Sequence, residues 1–188
     1  MLPAPTTGGP ACTTIYFDGT AATDVDAVAP ENINAAGEGF TLSAWVLRAI
    51  TAGHARPWEV IIDFGNGMDQ DNLYVAFDCG EESQMCYYRH SGDENDGFAG
   101  WNGWAAVLIP SYQPPFPPNQ WMSVQVTHTS NGNVSIYWDG VEQATANFPP
   151  PVAVERSGLY VGHSHWPGRR FQGQMQDLFV FNAALSPE

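Results

Sequence analysis

The chain has 188 residues, 44% hydrophobic and 13% aromatic, enough apolar material to bury one ordinary core without help from a metal or a disulfide. Twenty acidic residues face six basic ones, all arginine, and the net charge of -14 argues against nucleic acid and anionic membranes as partners. No run approaches about 18 consecutive apolar residues, and Met1 to Pro10 carries neither a basic nor an apolar leader region, so no membrane insertion and no signal peptide are expected of this stretch.

Residues 1–12 read as an N-terminal extension or linker and 13–188 as one domain. Helical periodicity is missing almost everywhere, while runs rich in Val, Ile, Phe, Tyr and Trp recur between Gly, Pro, Asn and Asp clusters. In chain order the predicted strands are Thr14–Phe17, Thr23–Val28, Phe40–Ala49, Trp58–Phe64, Asn72–Cys79 and Met85–His90. They continue with Trp104–Pro110, Trp121–Ser130, Asn133–Trp138, Val141–Asn147, Gly158–His163 and Phe171–Asn182. So many short strands in one domain predict an all-β sandwich or barrel.

Alternation sorts two stretches into faces. In Phe40 to Val46, Phe40, Leu42, Ala44 and Val46 point inward and Thr41, Ser43 and Trp45 outward, with Trp45 either displayed or covered by a loop. From Trp121 to Phe148 a three-stranded meander is expected, with Met122, Val124, Val126, Val134, Ile136 and Trp138 in the core. Both of its turns, Asn131-Gly132 and Asp139-Gly140, are read as type I′. The Pro-rich stretches 110–118 and 148–152 are connections within the domain.

Cys79 and Cys86 bracket the tip of a predicted hairpin and are read as a disulfide, the alternative being buried or reduced thiols; Cys12 is left over. No cysteine or histidine spacing suits zinc, and His163 and His165 lack a third ligand. Glu59 and Asp63 are the one carboxylate pair expected to share a strand face, but no further carboxylate follows, and Asp63 is read as a turn former before Gly65-Asn66-Gly67. No nucleophile elbow or phosphate loop is present, so the chain is expected not to be an enzyme.

Four stretches in order resemble the LamG-like (laminin-G/pentraxin) modules of the concanavalin A-like lectin/glucanase superfamily: Tyr16-Phe17-Asp18-Gly19; Phe40 to Val46; Ile62-Asp63-Phe64-Gly65-Asn66-Gly67 with Asp71-Asn72; and Tyr160 to Trp166 running through Phe171 to Ser186. The resemblance implies an antiparallel β-sandwich jelly roll, and adhesion or glycan binding as the commonest role. The denser carboxylate triplet of the laminarinase-like relatives and the lysine of the lyase relatives are missing. Some members bind calcium through acidic rim loops, which makes Asp69, Asp71 and Asn72 the candidate calcium ligands, with solvated turn carboxylates as the alternative. A second acidic loop, Asp93 to Gly97, lacks the distal glutamate of an EF-hand.

Sugar binding needs aromatic faces and polar groups that fix hydroxyls. Trp101, Asn102 and Trp104 form the preferred loop, joined by Tyr112 and by Trp166 beside Arg169 and Arg170; the alternative is that these rings staple loops to the sandwich. The expected function is a non-catalytic module binding a glycan or glycoprotein, extracellular or at a cell surface, within a larger multidomain chain. The other reading is a calcium-dependent protein adhesion module or a structural spacer.

Overall fold

A computed structural model describes residues 13–27, 33, 37–49, 58–80, 83–90, 104–111 and 113–186. Two six-stranded antiparallel sheets pack face to face. Sheet 1 has the order β1-β12-β3-β8-β9-β10 and sheet 2 the order β2-β11-β4-β5-β6-β7. The strands are β1 Ile15–Asp18, β2 Val25–Ala27, β3 Phe40–Arg48, β4 Glu59–Gly65, β5 Leu73–Phe77 and β6 Ser83–His90. They continue as β7 Trp104–Pro110, β8 Trp121–His128, β9 Asn133–Trp138, β10 Val141–Asn147, β11 Gly158–Val161 and β12 Gln172–Phe181. Each falls on a predicted run; a short 3-10 turn over Ala21–Thr23 takes the first residue of the predicted second strand, which begins at Val25.

Alternation explains the core. Phe40, Leu42, Ala44 and Val46 of β3 meet Val124 and Val126 of β8 and Val134, Ile136 and Trp138 of β9 on the inner face of sheet 1. Leu73, Val75 and Phe77 of β5 and Met85 and Tyr87 of β6 face them from sheet 2. Phe116, in the Pro-rich connection, plugs the gap, with ring centroids 4.7 Å from Phe77 and 5.1 Å from Trp138. The Trp138 indole N–H donates to Met85 Sδ across the sheets at 3.3 Å. Trp45 is covered: it is 5% exposed, in register with buried Gln176 and Ser123.

The Asp139-Gly140 turn has both residues at positive φ between paired Trp138 and Val141, as a two-residue type I′ hairpin demands. The Asn131-Gly132 turn differs from expectation. Only Gly132 is left-handed there, and its N–H donates to the Thr129 carbonyl at 3.0 Å, so the loop holds three residues, 130–132. The Thr129 hydroxyl accepts the Asn133 N–H at 2.9 Å, which stabilises the longer loop.

His128 ends β8 wholly buried, between the Tyr87 hydroxyl at 3.2 Å from Nδ1 and the Phe148 carbonyl at 3.0 Å from Nε2. Burial pushes its imidazole pKa down to about 4. The unfolded imidazole protonates near its ordinary 6.5, so between these values the unfolded chain binds the extra proton. The stability that neutral His128 supports is therefore complete above pH 6.5 and lost as pH falls to 4. Urea unfolding at pH 7 and pH 4.5 is expected to show wild type losing roughly 2 to 3 kcal/mol more than His128→Gln over that interval. Equal losses in the two proteins would refute this assignment.

Candidate functional site

The ladder of sheet 2 lines up one row of side chains on its outer face. Tyr160 of β11 pairs with Asp63 of β4, Asp63 with Tyr74 of β5, Tyr74 with Tyr88 of β6, and Tyr88 with Ala106 of β7. Because Leu73, Val75, Tyr87 and Val107 fill the core, their sequence neighbours in this row must face out. The adjoining row, Val60, Ala76 and Cys86, is small, apolar and fully buried, and a cleft of about 550 Å³ opens on this face between Tyr74, Tyr88, Ala106 and Cys79.

Its walls are aromatic. Trp58 precedes β4 in the left-handed region, at φ 65, held by its N–H donating to the Asp78 carbonyl at 3.0 Å. A bulky side chain rarely adopts that conformation, which here swings the indole over the cleft. Its centroid lies 6.0 Å from Tyr74 and 5.8 Å from Tyr88. Trp166, from the β11–β12 loop, meets Tyr74 edge-on at 5.8 Å. The Arg169 guanidinium sits 4.6 Å from the Trp58 centroid, 5.0 Å from Trp166 and 5.9 Å from Tyr74. Burial pushes the Tyr74 phenol pKa up, with Arg169 opposing. Exposed Asp69 stands at the rim.

Asp63 fixes the loop that carries Trp166 and Arg169. Fully buried, it accepts from the Ser164 hydroxyl at 2.7 Å, the His165 N–H at 2.9 Å and the Asn72 amide at 2.8 Å. His165 Nδ1 also lies 3.1 Å from its carboxylate. Gly158 makes room for that imidazole, since a Cβ there would lie 2.4 Å from His165 Nε2. Asp63 is thus a mid-strand anchor rather than a turn former. It does not share a face with Glu59: the register shift between Val60 and Ile62 reverses the alternation. Glu59 instead pairs with Arg48 at 2.7 Å, and Arg48 also bonds Asp78 and lies over Phe77 at 4.8 Å.

The cysteines form the disulfide Cys79–Cys86, with Cα atoms 6.0 Å apart, and Cys79 lines the cleft. The bridge closes a loop worth about 2.5 kcal/mol in the chain-entropy picture. His163 stacks on the Tyr160 ring at 4.3 Å and His165 meets it tilted at 4.2 Å, while His163 Nε2 lies 2.9 Å from Asp26.

Of the ligand-binding residues expected from sequence, Trp166 belongs to this cleft. Trp101, Asn102 and Tyr112 lie outside the described residues, and Trp104 opens β7, its backbone paired with His90. The Asp93 to Gly97 loop and Cys12 are also outside them. Among the candidate calcium ligands, Asn72 is buried, its carbonyl oxygen accepting the Gln70 N–H at 2.8 Å while its amide donates to Asp63. Asp71 accepts from Asn66 at 3.2 Å, and Asp69 stays at the cleft rim. Among the described residues no three His, Cys, Asp or Glu groups gather closely enough to hold a metal. Among the described residues no helix is long and apolar enough to cross a membrane.

Trp58, Tyr74 and Tyr88 were not assigned to binding from sequence, and Arg169 entered only as a neighbour of Trp166. A signal was available in β5 and β6, where Tyr74 and Tyr88 occupy the outward phase of apolar alternation.

Among solved structures, the chain is similar to domain 4 of AbnA, an extracellular GH43 arabinanase of Geobacillus stearothermophilus in complex with arabinotriose. The identity is 18%, over 92% of this chain and 71% of that one, with a TM-score of 0.63. It is also similar to the SAP-like pentraxin of Limulus polyphemus (12% identity, 93% and 77% covered, TM-score 0.63). A third similar structure is a putative carbohydrate binding protein from Bacteroides ovatus ATCC 8483 (15% identity, 87% and 42% covered, TM-score 0.55). At these identities the likeness establishes the fold. No curated protein sequence matches the chain. The Laminin_G_3 family matches residues 18–188, nearly the whole sandwich, and the chain therefore belongs to the concanavalin A-like lectin/glucanase superfamily.

Proposed function

We propose that this domain is a non-catalytic carbohydrate-binding module that takes saccharide in the cleft on the outer face of sheet 2. The observation that carries the reading is the convergence of Trp58, Tyr74, Tyr88 and Trp166 on one open cleft with Arg169 and Asp69 beside them. Pyranose and furanose rings present apolar faces to aromatic side chains and hydroxyls to charged ones, and this cleft offers both. The superfamily and the carbohydrate-associated structures of the same fold support it.

The non-catalytic assignment rests on the carboxylates. Glu59 and Asp63 face opposite ways and are each held by donors, so they form no acid and nucleophile pair about 5 Å apart. The disulfide supports a site outside the cytoplasm, and a place within a larger surface or secreted chain fits the same reading. The proposal requires no calcium.

Binding to immobilised glycans, followed by calorimetry on the best ligand, tests it. Trp166→Ala, with its fold confirmed by circular dichroism, is expected to weaken binding at least tenfold, about 1.4 kcal/mol. A folded variant that binds as wild type, or a wild type that leaves every glycan blank, would sink the proposal.

A further inference from the structure

We infer that the cleft selects saccharides bearing a carboxylate, such as uronate-containing oligosaccharides, and that Arg169 is the specificity-determining residue; this rests on the carbohydrate-binding reading above. Three other arginines have fixed partners. Arg48 is committed to Glu59 and Asp78, and Arg170 to Asp24 through both carboxylate oxygens. Arg156 is buried and donates to the backbone carbonyls of Asp71, Val154 and Val152. Arg169 differs from these. Its partners are three aromatic faces, and among the described residues no carboxylate lies within ion-pair distance and no carbonyl accepts from it.

Stacking uses the flat face of a guanidinium and leaves the N–H edge in its plane. That edge is a rigid fork of donors whose geometry matches the two oxygens of a carboxylate. The rings also hold the group in place, so little side-chain freedom remains to be lost when a ligand arrives. Beside it lies the buried Tyr74 phenol, whose ionisation Arg169 favours against the effect of burial. A cation that no carboxylate answers, set among the rings of an aromatic cleft, is completed by an anion carried on a ring. Net charge of -14 opposes anions in general, so selectivity must come from this local fork rather than from the long-range field. Asp69 at the rim, which has contacts of its own, is an acceptor for sugar hydroxyls rather than a mate for Arg169.

The test compares each probe with its own neutral form: oligogalacturonate, alginate oligosaccharide and hyaluronan oligosaccharide, each with free carboxylates and after methyl esterification. At least one free acid is expected to bind at least tenfold more tightly than its ester, with the preference falling as salt is raised. Arg169→Gln, its fold checked by melting, is expected to bring acid and ester to equal affinity. Neutral oligosaccharides that bind as well as or better than every acid would overturn the inference and leave the carbohydrate-binding proposal standing. So would an acid preference unchanged in Arg169→Gln. If no saccharide of either kind binds wild type, both fall together. Should Arg169→Gln not fold, the wild-type comparison of acid with ester still decides the matter.

Discussion

Replacing Asp63 with alanine is expected to lower stability by about 4 kcal/mol and to abolish saccharide binding, although Asp63 lies beneath the cleft and is fully buried. Three donors, from Ser164, His165 and Asn72, converge on this carboxylate, and each would lose its acceptor in a dry setting. An unsatisfied buried donor costs about 1 to 3 kcal/mol, and neighbours in one network do not add fully. For a domain of this size the loss corresponds to a fall in melting temperature of roughly 8 to 16 °C. Binding fails because the loop holding Trp166 and Arg169 is tied down through Ser164 and the His165 backbone. Asp63→Asn, which keeps one acceptor oxygen, is expected to fall between. Melting of both variants by circular dichroism checks the order, and a loss below about 1 kcal/mol for Asp63→Ala would contradict the anchoring role.

The second large effect concerns Glu59, 2% exposed and paired with an arginine 6% exposed. Removing one member of a buried ion pair strands the other charge, at about 3 to 5 kcal/mol. Glu59→Ala is therefore expected to destabilise by that amount, since among the described residues the carboxylate left to Arg48 would be Asp78, whose side chain is 34% exposed and partly solvated. The double replacement Arg48→Met with Glu59→Leu removes both charges and fills the volume, and is expected to recover most of the loss. Denaturant titration of wild type, single and double variants forms the cycle. A double variant no more stable than Glu59→Ala would show that packing rather than charge holds this corner.

Strand positions were legible because apolar alternation in this chain is nearly unbroken. β7, β9 and β10 have the same limits by sequence and by structure, and the core faces of β3, β8 and β9 follow from one-in-two spacing. Two things were not legible. The first is the bulge between Val60 and Ile62, where two successive isoleucines both enter the core and turn Asp63 to the opposite face from Glu59. Local spacing carries no mark of an added residue in one strand of a pair. The second is the binding face. Tyr74 and Tyr88 are 14 residues apart in sequence and adjacent only through register, while Trp58, Trp166 and Arg169 reach the same place from two loops. Attention to aromatic loops favours contiguous clusters such as Trp101 to Trp104, whereas a sheet assembles its site across the chain.

The position of β1 bears on how the domain behaves under mechanical load. β1 and β12 are antiparallel neighbours, with Ile15 opposite Met175 and Asp18 opposite Gln172, so the incoming end of β1 and the outgoing end of β12 leave from the same side. Tension applied through the two ends pulls this pair apart like a zipper, loading its backbone bonds one after another instead of sharing the force among them. β1 has four paired residues, whereas β12 is also held by β3 over seven, so the first strand to peel is β1, uncovering Phe17 from its edge-on contact with Phe171. The cleft lies on the other sheet, among strands that carry none of that force directly, so a tethered domain stretched at a surface would soften at its edge before its binding face is disturbed.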